Sequence, residues 1–206
     1  GFINVDCLDR QAKEQLAPGT KIYQNIHGKS MILAVVGKQG AGSGLNLLGA
    51  HIDAPRLDRK QRPFYEDTDF AMAKTHYYGG IKKYQWVCIP LALHGVVVLT
   101  SGEKVTINVG ENPEDPCFVI TDLLPHLATE QMTKKLAEGI TGESLNVTLG
   151  SIPEASKETA EGQKEKNLYK KNLLKILKDT YGIQEDDFVS AEIEVVPAFP
   201  ARDVGF

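Results

Sequence analysis

Long hydrophobic runs are absent from this chain of 206 residues. The longest apolar stretches, residues 89–93 and 96–99, fall far short of the roughly 20 residues that a membrane-spanning helix needs. We therefore predict no transmembrane segment and no membrane partner. Fibrous and disordered classes are also excluded, because 42% of the residues are apolar and 24% are charged, as in ordinary folded domains.

An excess of basic charge is absent as well. The sequence has 23 Lys and Arg residues against 27 Asp and Glu residues, which gives a net charge of −4. A protein with this balance repels a phosphate backbone over most of its surface. We therefore predict that nucleic acid is not a partner.

Cysteine is scarce, and its pattern excludes a disulfide framework or a zinc finger. Cys7, Cys88 and Cys117 are odd in number and form no Cys-x-x-Cys pair. Reduced thiols and the lack of a basic-then-apolar signal peptide predict a cytoplasmic location. Because the chain begins at Gly1 and ends at Phe206, directly after an apolar strand-like run, we expect it to be a segment of something longer.

Hydrophobic patterning predicts a β-rich α/β fold with two helices. Alternating or β-branched residues predict strands or β segments at residues 21–26, 31–36, 45–50, 85–99, 103–109 and 188–196. The predicted helices are residues 122–138, with Pro125 in the first turn, and the stretch between the cap Asn167 and Gly182. Residues 37–44 predict a glycine-rich hairpin turn, residues 66–69 a solvated acidic loop, and residues 150–167 a polar mobile excursion.

A histidine and an aspartate directly follow the predicted strand at residues 45–50, which is apolar enough for the middle of a covered sheet. Ligands bind where such strands end, so His51 is placed at a candidate site. Imidazole is the commonest metal ligand, and Asp53 faces the same side of an extended chain, where it can support the ligand or a catalytic group. The alternative is that His51 caps a turn and Asp53 accepts its hydrogen bond.

Four segments in one order resemble a single family. Residues 49–57 (Gly-Ala-His-Ile-Asp-Ala-Pro-Arg-Leu) look like the first metal-binding motif of the aspartyl aminopeptidase and aminopeptidase I family of dizinc metallopeptidases. Residues 78–81 (Tyr-Gly-Gly-Ile) with Trp86 downstream, and residues 124–128 (Leu-Pro-His-Leu-Ala), are similar to two further family segments. Residues 197–205 resemble the strand that returns into the catalytic domain of the family.

This resemblance implies an α/β fold with a partial phosphorylase/hydrolase-like catalytic sheet and a β-rich insertion domain that mediates dimerisation. Residues 1–87 would be the N-terminal part of the catalytic domain, residues 88–196 the insertion, and residues 197–206 the return segment. The natural state would be a homo-oligomer, either a dimer or a larger cage.

The resemblance also implies a chemistry. The intact protein would be a zinc aminopeptidase that removes N-terminal amino acids from peptides, using water activated at two zinc ions and a glutamate as general base. His51 would be a zinc ligand, and Asp53 would be the catalytic residue beside the metal. The remaining ligands would follow Phe206, so we expect this segment alone to be inactive.

His126 is a third candidate, facing substrate in the neighbouring subunit. The family contributes a histidine to the adjacent active site from this region, four positions further along in its eukaryotic members, where this chain has Glu130. The alternative for His126 is a histidine in the first helical turn that packs against the sheet.

Two other functions stay open from the sequence. One is a noncatalytic assembly or regulatory module that keeps the fold without the metal centre. The other is a related metal-dependent deacylase or carboxypeptidase, which would share His-x-Asp at a strand end but lack the Tyr-Gly-Gly and Pro-His-Leu-Ala segments.

Overall fold

The computed structural model describes residues 1–155 and 166–205. Within them the chain is a mixed α/β protein that divides into two compact units, Gly1–Asp53 and Ala54–Phe206. The division falls after Asp53 and not at the predicted boundary, residue 87. The reason is that residues 56–78 form two long strands that belong to the same sheet as the later strands. Most of the polar excursion predicted at residues 150–167 lies outside the described residues.

The first unit contains a three-stranded sheet and one short helix. Its elements are β1 (Ile3–Asn4), α1 (Arg10–Glu14), β2 (Lys21–Ile26) and β3 (Ser30–Val35), in the sheet order β1-β2-β3. Strands β2 and β3 form an antiparallel hairpin, which confirms the two predicted strands. The connecting turn has positive φ at His27 (56°) and Gly28 (72°), a pair of angles typical of tight hairpin turns.

Strand β3 is apolar on both of its faces, and both faces are exposed. Met31 and Leu33 on one face are 52% and 58% exposed, and Ile32 on the other is 59% exposed. Strands with this pattern are typical of sheets covered by helices on both sides. An exposed apolar surface of this kind marks an interaction site or a surface that further protein covers.

The prediction of a strand at residues 45–50 is wrong. Residues 44–55 have no regular secondary structure, and Leu45, Leu47 and Leu48 are 70%, 85% and 102% exposed. A buried strand requires neighbours on its hydrogen-bonding edges and cover on its faces. Within the described residues this segment has no strand partner, so its apolar composition does not lead to burial.

The second unit contains a six-stranded sheet. Its strands are β4 (Arg56–Asp67), β5 (Phe70–Tyr78), β6 (Leu91–Val98), β7 (Lys104–Val109), β8 (Val147–Gly150) and β9 (Ala191–Pro197), in the order β7-β6-β9-β4-β5-β8 with antiparallel neighbours. Phe118 bridges to Leu91 in β6, and Val119 bridges to Thr148 in β8. The chain near residue 118 therefore links β8 back to β6.

Buried apolar side chains from this sheet and its connections form the core. The largest of them are almost completely buried, namely Phe188, Leu57, Leu91, Ile120, Leu145 and Ile183. Trp86 is also buried.

Strand β4 is the longest strand, and the sequence did not predict it. Its pairing register with β5 shifts between Arg59 and Phe64, so the alternation of buried and exposed residues is interrupted. A pattern with a period of two residues is the main signal of a strand, and the irregularity hides it. The region expected to be an acidic loop is instead the β4–β5 hairpin, with positive φ at Thr68 and Asp69.

The described part of the second unit contains three α-helices: α2 (Thr129–Thr133), α3 (Leu136–Gly139) and α4 (Leu168–Tyr181). The predicted helix at residues 122–138 is therefore wrong. Lys134 and Lys135 have extended backbone angles that separate α2 from α3. The apolar side chains of this region are mostly exposed, so no buried stripe holds a single long helix together.

Helix α4 begins and ends where the sequence predicts, but its N-terminal cap is different. Asn167 makes no side-chain capping bond. The Glu66 carboxylate, from β4, accepts hydrogen bonds from the backbone N–H groups of Tyr169 at 2.8 Å and Lys170 at 3.2 Å. A carboxylate at this position satisfies open N–H groups and complements the helix dipole. Glu66 therefore fixes the start of α4 on the sheet.

Candidate functional site

His51 and Asp53 project from the irregular segment at the end of the first unit. The His51 Nε2 and Asp53 Oδ2 atoms are 4.0 Å apart, and the side chains are 79% and 55% exposed. This distance is too long for a hydrogen bond and suits an ion pair when the imidazole is protonated. An accessible imidazole and carboxylate therefore lie side by side, as a metal or substrate site requires.

Imidazole nitrogen and carboxylate oxygen are both zinc donors, but two donors do not complete a zinc site. A zinc ion takes about four ligands. In residues 1–155 and 166–205 there is no group of three or more His, Cys, Asp or Glu side chains placed to hold a metal ion. The described chain therefore does not fit a zinc ion by its own residues, and we derive no reaction step through the metal.

His126 lies in an exposed turn and not in a helix against the sheet, which corrects the packing alternative. The turn closes with hydrogen bonds from the N–H groups of Leu127 and Ala128 to the Leu124 carbonyl, at 2.8 and 3.0 Å. Glu130 follows in α2, where its carboxylate is 3.1 Å from the Lys134 Nζ. His126 and Glu130 belong to Ala54–Phe206, whereas His51 and Asp53 belong to Gly1–Asp53.

Large apolar residues flank His126 in the sequence. Five large ones are between 55% and 71% exposed, namely Leu123, Leu124, Leu127, Met132 and Leu136. Single exposed apolar residues are ordinary, but five within fourteen positions indicate a surface that another molecule covers.

Arg56 joins two of the motif segments and strand β9, a role that the sequence analysis missed. The Arg56 Nε lies 2.8 Å from the Asp58 Oδ1 and 3.0 Å from the Glu194 Oε1. The guanidinium carbon is also 4.0 Å from the centre of the Tyr78 ring, a cation–π contact. The first motif, the Tyr-Gly-Gly segment and the strand that leads to the return segment therefore meet at one side chain. The sequence signal that could have identified this role is the position of Arg56, an arginine close to the His-x-Asp motif.

A comparison with family models decides the assignment. The model described as "Aminopeptidase I zinc metalloprotease (M18)" matches residues 2–206. The chain belongs to this family. The resemblance inferred from the four motif segments is confirmed, and the M18 match favours an aminopeptidase over a deacylase or carboxypeptidase.

Individual M18 proteins show the same relationship. A probable M18 family aminopeptidase 1 from Clostridium acetobutylicum is 53% identical over 207 residues, which cover all of this chain and 43% of that protein. The crystal structure of an M18 aminopeptidase from Thermotoga maritima is 45% identical, with a TM-score of 0.84, over 100% of this chain and 42% of the other. This chain therefore spans less than half the length of the M18 relatives it matches.

A more distant M18 structure shares the fold alone. The mApe1 dodecamer of S. cerevesiae is 17% identical with a TM-score of 0.58, over 96% of this chain and 41% of that one. No helix among the described residues of this chain has the length and apolar character needed to cross a membrane.

Proposed function

We propose that this chain is part of a zinc-dependent aminopeptidase that removes N-terminal residues from peptides. The observation that carries the proposal is the exposed His51 and Asp53 pair, 4.0 Å apart, inside a chain that matches the M18 family from residue 2 to residue 206. A noncatalytic assembly module is the second candidate, because the described residues contain no group of three or more side chains placed to hold a metal ion.

The first unit is proposed to be part of a phosphorylase/hydrolase-like catalytic sheet. The support is strand β3, which is apolar and exposed on both faces, and the exposed run at residues 45–48. The rest of the longer protein would cover these surfaces and pair with the segment that is irregular here. Residues 88–196, within the second unit, are proposed to be the β-rich insertion that mediates dimerisation, with residues 197–206 returning to the catalytic domain.

The metal site is proposed to hold two zinc ions in the intact subunit. His51 would ligate one of them, and Asp53 would position the ligand or a neighbouring catalytic group. The other ligands and a glutamate general base would come from outside this chain. Bound zinc would supply the Lewis-acid chemistry of peptide hydrolysis.

His126 is proposed to face the active site of a neighbouring subunit. Its support is its exposed turn and the exposed apolar residues around it, which would be buried in a homo-oligomer. The dodecameric state of the yeast relative is consistent with such an assembly. A cytoplasmic location is proposed as well, supported by three free, exposed cysteines.

Asp53→Asn is expected to lower kcat by about 10- to 100-fold while zinc content stays near that of the wild type, because a neighbour of a ligand tunes the site more than it holds the ion. The measurement combines steady-state kinetics with metal analysis of the same preparation. Asp6→Asn, which alters an exposed aspartate of the same unit, is the matched control and should leave both quantities unchanged. Wild-type turnover in the Asp53 variant would contradict the positioning role.

The function is tested with the full-length protein and a panel of aminoacyl p-nitroanilides. We expect cleavage of substrates with a free α-amino group, loss of activity on chelation, and recovery on addition of zinc. The same substrates with an acetylated amino group should not be cleaved. Release of acetate from the acetylated substrates, with the anilide bond left intact, would indicate a deacylase, and an assembled, zinc-free and inactive protein would indicate the noncatalytic module.

A further inference from the structure

A cavity of about 750 Å³ lies between the six-stranded sheet and helix α4. Its wall is mostly apolar, and it includes side chains from the strands, from the helix and from the turn before β9. Prominent among them are Phe64, Leu93, Ile107, Leu173, Leu177 and Phe188. This volume falls within the range of about 300–1,000 Å³ that small-molecule sites occupy.

Helix α4 is anchored in its first turn, and its apolar stripe is only partly buried. Glu66 caps its first turn, and the Lys170 Nζ lies 2.6 Å from the Glu185 Oε1. None of the fourteen residues of α4 is fully buried, and Ile176, which lines the cavity, is 51% exposed. An amphipathic helix normally buries its apolar stripe against the core. Here the stripe borders the cavity, so apolar contacts are available to an occupant.

Arg59 brings a positive charge to the wall of this cavity. Its two terminal nitrogens donate to the backbone carbonyls of Lys60, Gln61, Phe188 and Ala191. The Arg59 Nε is buried and has no hydrogen-bond partner in the described chain. Burial lowers the pKa of Arg59 to about 10, so the guanidinium stays charged at neutral pH.

This charge has no carboxylate within ion-pair distance among residues 1–155 and 166–205. Burial of a charge without a counter-ion is costly, and a bound anion would relieve that cost. The one described carboxylate that lines the cavity, Asp115, is engaged elsewhere. It accepts hydrogen bonds from the N–H of Gly110 at 3.1 Å and from the Asn112 side chain at 3.1 Å.

We propose that this cavity binds an elongated apolar molecule with one carboxylate group, such as a medium-chain alkyl carboxylate. The alkyl chain would lie between α4 and the sheet, and the carboxylate would pair with Arg59. Neither His51 nor Asp53 is among the residues that line the cavity.

The test is calorimetric titration of the full-length protein with decanoate and, in parallel, with decan-1-ol. We expect one decanoate per subunit and a dissociation constant at least about tenfold higher for decan-1-ol, because a charge-assisted hydrogen bond is lost. Absence of saturable decanoate binding would overturn the proposal, and so would equal affinity for the two probes.

Variants in α4 locate the site. Leu173→Trp fills the cavity from the helix and should weaken decanoate binding by about 20-fold or more, since the bulkier side chain takes the space of the alkyl chain. Lys175→Trp places the same side chain on an exposed position outside the cavity wall and should leave binding unchanged. Wild-type affinity in Leu173→Trp, or loss of affinity in both variants, would overturn the assignment.

A labelling experiment on the wild-type protein covers the case in which Leu173→Trp fails to fold. Decanoate that carries a terminal diazirine is photolysed on the protein, and the labelled peptides are identified by mass spectrometry. Labels confined to peptides that contain cavity residues such as Leu177 or Phe188 would support the proposal. Labels confined to the exposed apolar segments at residues 31–35 or 123–136 would overturn it.

Discussion

Replacement of His51 by alanine in the full-length protein is expected to lower kcat/KM at least about a thousandfold and to remove about one zinc ion per subunit. The physical reason is that His51 is an accessible imidazole beside a carboxylate, in the segment of this M18 chain that resembles the first metal-binding motif of the family. Loss of one ligand empties its metal site, and chemistry that depends on the metal is lost with it. Metal analysis and steady-state kinetics on one preparation measure both effects.

His27→Asn is the matched control for this variant. His27 is also an exposed histidine of the first unit, and asparagine tolerates its positive φ of 56°. This control should retain full zinc content and activity. Wild-type zinc and turnover in His51→Ala would exclude His51 as a ligand. Loss of activity in both variants would point to a general disturbance of the first unit.

Mixed oligomers of His51→Ala and His126→Ala are expected to regain about a quarter of wild-type activity, although each variant alone is inactive. If His126 serves a neighbouring subunit, a site is active only when its own chain keeps His51 and its neighbour keeps His126. Random mixing in equal amounts satisfies both conditions in about one site in four. Co-expression of the two variants, purification of the mixed oligomer and kinetic assay measure the recovery.

Two results would contradict the role of His126 in a neighbouring subunit. The first is an inactive mixed oligomer, which would show that an active site needs both histidines from the same subunit. The second is full activity of His126→Ala alone, which would make His126 a surface residue. Glu130→Gln, four positions further along the chain, tests whether the position matched to the eukaryotic members contributes to the neighbouring active site instead.

Local sequence signals were sufficient where an element is defined by its own residues and the turns that bound it. The β2–β3 hairpin, β7, and the start and end of α4 follow from β-branched residues, turn glycines and an amphipathic stripe. Local signals were insufficient where the structure of a segment depends on contacts with residues that are distant in the sequence. The run at residues 45–50 is apolar enough for a buried strand, but in the described chain no strand pairs with it. Residues 122–138 show helical spacing without a core to bury against.

The same distinction applies to the residues of the candidate site. His51, Asp53 and His126 stand in short motifs, so the sequence singles them out. The contacts of Arg56 with Tyr78 and Glu194, and of Glu66 with the start of α4, join residues far apart in the chain. Such contacts depend on strand register, and the shift within β4 removed the pattern from which register is inferred.

Anomalous diffraction at the zinc absorption edge, from crystals of the full-length protein, tests the central claim most directly. We predict an anomalous peak about 2.0–2.1 Å from a ring nitrogen of His51, with Asp53 beside the imidazole and not displaced from it. A fully occupied zinc centre elsewhere in the protein, with the His51 imidazole outside coordination distance of every anomalous peak, would contradict the account.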